Sequence, residues 1–221
     1  MAASIRKGLF ITFEGSEGGG KSTQSMMLFN FLKRKGFKVL QLRDPGSTQT
    51  GESIRKMLLT PGREVSASSE FLLYLAARAQ LVDEKILPAL KEKTIVICDR
   101  FADATVCYQG HGLGIDIAMI DRMNRFVTRS IAPDITFFLD ASVKKGLRRC
   151  RNVKGFSDRI ERRSYDFHLR VRNGYLTLAK KHPRRIKRIS IEDSGKEQTQ
   201  DTIRGYVLDA IKRHQGPGKG R

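Results

Sequence analysis

No hydrophobic run in these 221 residues is long enough to cross a bilayer, so a helical membrane span is excluded. The first residues, Met1 to Gly8, carry Arg6 and Lys7 but no separate apolar region and no small-residue cleavage site, so they do not read as a secretory signal. Cysteine is scarce: Cys98, Cys107 and Cys150 are odd in number and match neither CxxC nor a zinc-ligand spacing. They read as buried or incidental thiols, and a cytoplasmic location is expected. Internal repeats and linkers are missing too, so one compact domain over 1–213 is expected, with 214–221 as a flexible basic tail. Acidic residues are the remaining shortage. Asp and Glu number 23 against 42 Lys and Arg, which leaves a net charge of +19. Between Lys144 and Arg188 the ratio is 17 basic to 3 acidic. Such a field draws polyanions, and by itself it does not separate a nucleotide enzyme from a nucleic-acid binder.

What is present is globular: 39% hydrophobic and 29% charged residues. Gly8 to Glu14 (GLFITFE) is an apolar, β-branched and aromatic run that predicts a buried strand. From Lys21 to Lys35, Met26, Met27, Leu28, Phe31 and Leu32 recur at helical spacing, which predicts a helix with these side chains in the core and a stop at Gly36. Phe37–Leu42, Thr94–Cys98, Ile135–Leu139 and the weaker Ile186–Ile191 predict further strands. Helices are predicted over Glu52–Leu59, Ser69–Leu81, a segment ending near Lys93, and Thr199–Arg213. Asp44-Pro45-Gly46 forces a turn. Strands that alternate with helices and read as unbroken apolar runs predict a parallel sheet covered on both faces, with ligands at the carboxyl ends of the strands.

The segment Gly15 to Ser22 (GSEGGGKS) fits GxxxxGK[ST] between a predicted strand and a predicted helix. Its glycines let successive backbone N–H groups converge, the helix start adds positive potential, Lys21 reaches the β- and γ-phosphates, and Ser22 is placed to ligate magnesium. The motif marks a nucleotide phosphate site and leaves the destination of the phosphate open. Asp99 and Arg100 follow a strand directly, so a metal-side carboxylate and a phosphate-binding guanidinium, or a structural ion pair, would stand at the same sheet edge.

Five segments, in the order FEGSEGGGKST, RDPGSTQTGESIRKML, LYLAARAQL, DRFADATVCYQGHGLG and DRIERRSYDF, resemble the thymidylate kinases over nearly the whole chain. The resemblance implies an α/β fold of the P-loop nucleoside monophosphate kinase type, with helices on both faces of a parallel sheet. It also implies transfer of the γ-phosphate of ATP to dTMP, a magnesium cofactor and a homodimer. By position it assigns Gly15, Ser16, Glu17, Gly18, Gly19, Gly20, Lys21, Ser22, Thr23 and Arg149 to ATP, and Ser22 and Asp99 to the metal. Glu17, Arg43, Pro45, Arg55, Tyr74, Arg78, Arg100, Thr105, Tyr108 and Gln109 fall to dTMP. Within that set Arg100 would grip the phosphate, Glu17 the sugar 3′-hydroxyl, Tyr74 and Arg78 the base, and Tyr108 the space where a ribose hydroxyl would go. Tyr74 and Arg78, four apart on a helix, share one face. Tyr74 taken alone reads as core, and Arg55 equally as a solvated helix charge.

Thymidylate kinases of one type carry the catalytic cation in the phosphate loop, and those of the other carry it in a lid. Here Gly18 follows Glu17 with no arginine, which points to the lid type, usual in bacteria. The lid falls at about 148–160, and Arg151, Lys154 and Arg159 are all candidates to assist Lys21 and Arg100 in catalysis. Two other readings compete: another nucleoside or nucleotide kinase, and a P-loop ATPase that binds nucleic acid with its basic half. No recognisable nucleic-acid fold motif supports the latter.

Overall fold

The computed structural model describes residues 4–154, 158–192 and 195–215. Strands β1 (Leu9–Glu14), β2 (Val39–Arg43), β3 (Ile95–Asp99), β4 (Ile135–Asp140) and β5 (Ile186–Ser190) form one sheet in the order β2-β3-β1-β4-β5. Every neighbouring pair is parallel. The register sets Phe13 and Arg43 opposite Asp99, so the carboxyl ends of the three strands finish level at one edge.

Alternation along the strands explains the two covered faces. Leu9, Ile11 and Phe13 join Ile95, Ile97, Phe137 and Leu139 in the core beneath α1 (Lys21–Arg34) and α9 (Lys196–Gln215). Phe10, Val96 and Cys98 point the other way. That face is covered by α3 (Ala67–Leu81), which runs on through a π-helical turn at Val82–Ile86 into α4 (Leu87–Lys91). Helix α8 (Tyr165–Lys181) packs there too, against Phe138 and Ile186. The predicted α/β architecture therefore holds, and the long helix and the one ending near Lys93 are a single continuous run. Of the α1 stripe, Leu28 and Leu32 are fully buried, whereas Met26 is 48% exposed, so its assignment to the core is corrected. It lies on the outer side of a helix whose inner face is Gln24, Ser25, Leu28 and Leu32.

Helix starts are fixed by capping side chains. Thr48 accepts from the Gly51 amide at the head of α2 (Gln49–Leu59), Ser66 from Ser69 before α3, and Ser164 from Phe167 before α8. Each such cap is worth about 1 kcal/mol. The segments to which the sequence assigned no element hold α5 (Ala102–Thr105) with a π-helical turn at Val106–Gly112, α6 (Ile117–Val127), and α7 (Val143–Lys154), besides α8. None of the described helices is long and apolar enough to cross a membrane. The expected tail at 214–221 starts with the end of α9, and 216–221 lie outside the described residues.

Candidate active site

The glycine-rich loop leaves β1 at the level edge of the sheet. Gly15, Gly18 and Gly20 have φ of 136°, 65° and 78°, conformations that a Cβ disfavours, and Gly20 forms the left-handed N-cap of α1. Lys21, 7% exposed, turns back to donate Nζ to the Ser16 carbonyl at 2.8 Å. Burial and the Arg100 charge lower its pKa, against the pull of Glu17, Asp99 and Glu14. Ser22 Oγ donates to Asp99 Oδ2 at 2.6 Å. Two hard oxygen donors, side by side at a helix start, suit a hard divalent cation such as magnesium.

Arg100 is the hub where loop and cavity meet. Its φ of 70° is unusual for a residue with a side chain. The backbone is held there by its own amide, which donates to the Phe13 carbonyl at 2.9 Å, and by the next amide, Phe101, which donates to Glu14 Oε1 at 2.7 Å. The guanidinium donates to Glu17 Oε1 at 2.6 Å and to the Gly15 carbonyl at 2.9 Å, and lies over the Tyr108 ring at 4.8 Å. Tyr108 donates its hydroxyl to the same Glu17 oxygen at 2.8 Å. Burial pushes the Glu17 carboxyl up, but Arg100, Lys21 and the Tyr108 hydroxyl outweigh it and hold the pKa at about 2. Glu17 is therefore a carboxylate at any working pH, with Oε1 engaged by Arg100 and Tyr108. Arg100 pairs with Glu17, not with its sequence neighbour Asp99.

A cavity of about 540 Å³ runs from Gly18–Thr23 past Arg100 to Tyr74, Arg78, Thr105 and Gln109. At its far end Arg78 is 1% exposed. Its Nε donates to Asp44 Oδ2 at 2.6 Å, its Nη1 to Thr105 Oγ1 and Asn124 Oδ1 at 2.7 Å each, and its Nη2 to the Phe101 carbonyl at 3.1 Å. Four acceptors take four of the five guanidinium N–H groups, which leaves one. Tyr74 sits beside Ile54, Leu58 and Ala77 and still faces the cavity. Gln109 is held by Glu70 at 2.9 Å. Arg55 and Pro45 line the cavity, and Arg55 Nη1 donates to the Pro45 carbonyl at 3.0 Å. Arg43 also lines it while paired with Glu52 at 2.8 Å.

The lid candidates separate. Arg149, on α7, lines the cavity beside the glycine-rich loop. Arg151 is exposed and is not part of that lining. The Lys154 side chain and residues 155–157 lie outside the described residues. Arg159, expected among the catalytic cations, is not among the residues that line the cavity. Its Nη2 pairs with the fully buried Glu70 and its Nε donates to the Leu58 carbonyl at 2.6 Å, so the guanidinium is committed to the protein interior. Arg163 joins it on Glu70 at 2.6 Å. Elsewhere in the basic half, Arg172 and Arg188 both close on the buried Asp140 at 2.7 Å, and Arg185 on Asp103 at 2.6 Å. Part of the local charge excess is thus balanced by carboxylates from other segments.

A family model described as thymidylate kinase matches residues 13–203. The chain belongs to the thymidylate kinase family. It is 42% identical over 206 residues to a thymidylate kinase of Exiguobacterium sp. (strain ATCC BAA-1283 / AT1b), covering 93% of this chain and 96% of that one. With a thymidylate kinase of Halothermothrix orenii it shares 49% over 175 residues, 78% of this chain and 84% of the relative. The crystal structure of thymidylate kinase from Ehrlichia chaffeensis superposes with a TM-score of 0.74 at 35% identity, over 90% of this chain and 98% of that one.

For a thymidylate kinase, two residues at the hub, Glu14 and Tyr175, and one behind the cavity wall, Glu70, escaped the sequence reading. Glu14, fully buried, accepts from the Phe101 amide and from the Tyr175 hydroxyl, each at 2.7 Å. Burial and Asp103 raise its pKa to about 8, against Arg100 and those two hydrogen bonds. A carboxylate that closes an otherwise apolar strand was the available signal. Tyr175 and Glu70 gave none, because their partners lie far away along the chain.

Proposed function

We propose that the chain transfers the γ-phosphate of ATP to dTMP, giving dTDP and ADP, with ATP on the glycine-rich loop and dTMP in the arm of the cavity between Arg100 and Arg78. The observation that carries this reading is the junction at Arg100. One guanidinium, braced by Glu17 and Tyr108, stands between the glycine-rich loop and the partly apolar arm of the same cavity.

In this reading the acceptor is already an anionic phosphate oxygen, so no catalytic base is needed and the barrier is repulsion between two anions. Arg100 holds the dTMP phosphate in line with the loop. Lys21 and Arg149 draw charge from the ATP phosphates, and arginines in such positions give rate factors on the order of 10³ to 10⁵. Arg151 and Lys154 remain the further lid cations. Ser22 and Asp99 would hold magnesium, which would supply charge neutralisation at the β- and γ-phosphates. Glu17 meets the sugar 3′-hydroxyl, and the Tyr108 ring fills the space a 2′-hydroxyl would need, which favours deoxynucleotides. The remaining Arg78 N–H and the Thr105 hydroxyl address the thymine edge, Tyr74 covers the ring, and Gln109, Arg43, Pro45 and Arg55 complete the walls.

The working unit we propose is a cytoplasmic homodimer. Leu72 on α3 and Met119 and Phe126 on α6 are 56%, 39% and 73% exposed on two helices that pack together, an apolar face that a second copy would cover. A coupled assay of ADP release, with each nucleoside monophosphate in turn, tests the function. Turnover with dTMP well above that with GMP, CMP or UMP is expected; activity on GMP or thymidine with dTMP inert would overturn it.

A further inference from the structure

We infer that Gly146 is a positioning residue for phosphoryl transfer: its bare backbone lets the first turns of α7 rest on the glycine-rich loop and so delivers Arg149 to the phosphates. The inference rests on the reading of that loop as the ATP site.

The contact is reciprocal and made by backbone on both sides. A Cβ at Gly146 would lie 2.2 Å from the Glu17 carbonyl oxygen, and a Cβ at Gly18 would lie 2.0 Å from the Gly146 carbonyl oxygen. No side chain can rotate away to relieve either clash, so admitting a methyl group requires the helix and loop to part by about 1 Å, given ordinary contact distances. Gly18, at φ 65°, has a conformational reason to be glycine as well. Gly146 is not among the residues of positive φ, and it lies within a helix, where glycine is the weakest former after proline. The reason left for glycine at 146 is the close approach itself.

The other side of α7 blocks an easy retreat. Glu192 accepts from the Ser142 amide at 2.7 Å and from Lys145 Nζ at 2.8 Å, and the Gly146 amide donates to the Ser142 carbonyl at 2.9 Å. The start of the helix is thus held between Glu192 and the loop. Arg149, three residues on from Gly146, shares its helical face and lines the cavity with Gly18 to Thr23. Position 146 therefore sets how far the Arg149 guanidinium stands from the bound phosphates.

Gly146→Ala tests this, with Gly205→Ala on α9, where an added Cβ meets nothing within 4 Å, as the control. A non-hydrolysable ATP analogue should bind Gly146→Ala about tenfold more weakly, the loss of a charged hydrogen bond. The kcat with dTMP should fall about 100-fold, the KM for dTMP should stay within threefold, and Tm should fall by no more than a few degrees, because the helix propensity gained by alanine offsets part of the strain of parting helix and loop. The control should change none of the kinetics. In an Arg149→Ala background, Gly146→Ala should cost little more, since the two act through one contact. Analogue affinity within threefold of the parent, losses that simply add in the double variant, or a drop in Tm that accounts for the lost binding would each overturn the inference. Should the parent bind the analogue but leave dTMP inert, the functional reading fails while the affinity arm still decides the role of Gly146.

Discussion

Replacing Arg78 by lysine separates the two duties that the geometry gives this side chain. The guanidinium meets acceptors on Asp44, Phe101, Thr105 and Asn124, arranged around its planar edge. A lysine ammonium keeps the charge opposite Asp44 but carries its donors on one atom, so it cannot reach all four. Two acceptors left bare in a site that is 1% exposed cost about 1–3 kcal/mol each. For a chain of this length each kcal/mol lowers Tm by roughly 2–4 °C, so a drop of roughly 4–24 °C is expected by calorimetry. The fifth N–H, which the proposed placement of dTMP gives to the base, is lost as well, and on that placement the KM for dTMP should rise about tenfold with kcat within threefold. Thr105→Val, which removes one acceptor and no charge, should lower Tm by only a few degrees. A lysine variant that melts within 2 °C of the parent would refute the four-acceptor reading. One that loses stability at unchanged KM would confine Arg78 to a structural role.

Arg159→Ala should lose about 1.5–3 kcal/mol of stability, since Arg163 still covers Glu70, and leave kcat within threefold; a 100-fold fall in kcat at unchanged Tm would return Arg159 to the catalytic set. Glu14 keeps its proton in the folded state up to about pH 8 but loses it near pH 4.5 when unfolded, so stability should fall as pH rises through that window. Glu14→Gln should flatten this fall, which melting curves from pH 4.5 to 8.5 will show; an unchanged slope would remove Glu14 as its source. Asp99→Asn should raise the magnesium concentration for half-maximal rate at least tenfold with little change in the KM for dTMP, whereas an unaltered magnesium titration would exclude Asp99 as a metal-side carboxylate. Phe126→Glu should shift the mass measured by light scattering from dimer to monomer, and a parent that is itself monomeric would dispose of the apolar face as a dimer contact.

The sequence alone determined the parallel sheet, because unbroken apolar runs such as TIVIC and ITFFL suit only strands covered on both faces, and it determined the phosphate loop, because that motif is local in the chain. The helices between β3 and β4 and between β4 and β5 were not legible. In α7, VKKGLRRCRNVK, the apolar stripe of Val143, Leu147 and Cys150 is thin and set among many basic residues, and the 102–112 segment mixes a short α-turn with a π-turn. What only the tertiary structure decided is the pairing of charges. Arg159 falls within the expected lid in sequence yet binds Glu70, 89 residues away, and Arg100 pairs not with adjacent Asp99 but with Glu17, 83 residues away. Periodicity reports which face of an element is buried, but a charged side chain takes its partner from whatever carboxylate the fold brings within about 3 Å, and that distance exists only once the strands have set their register.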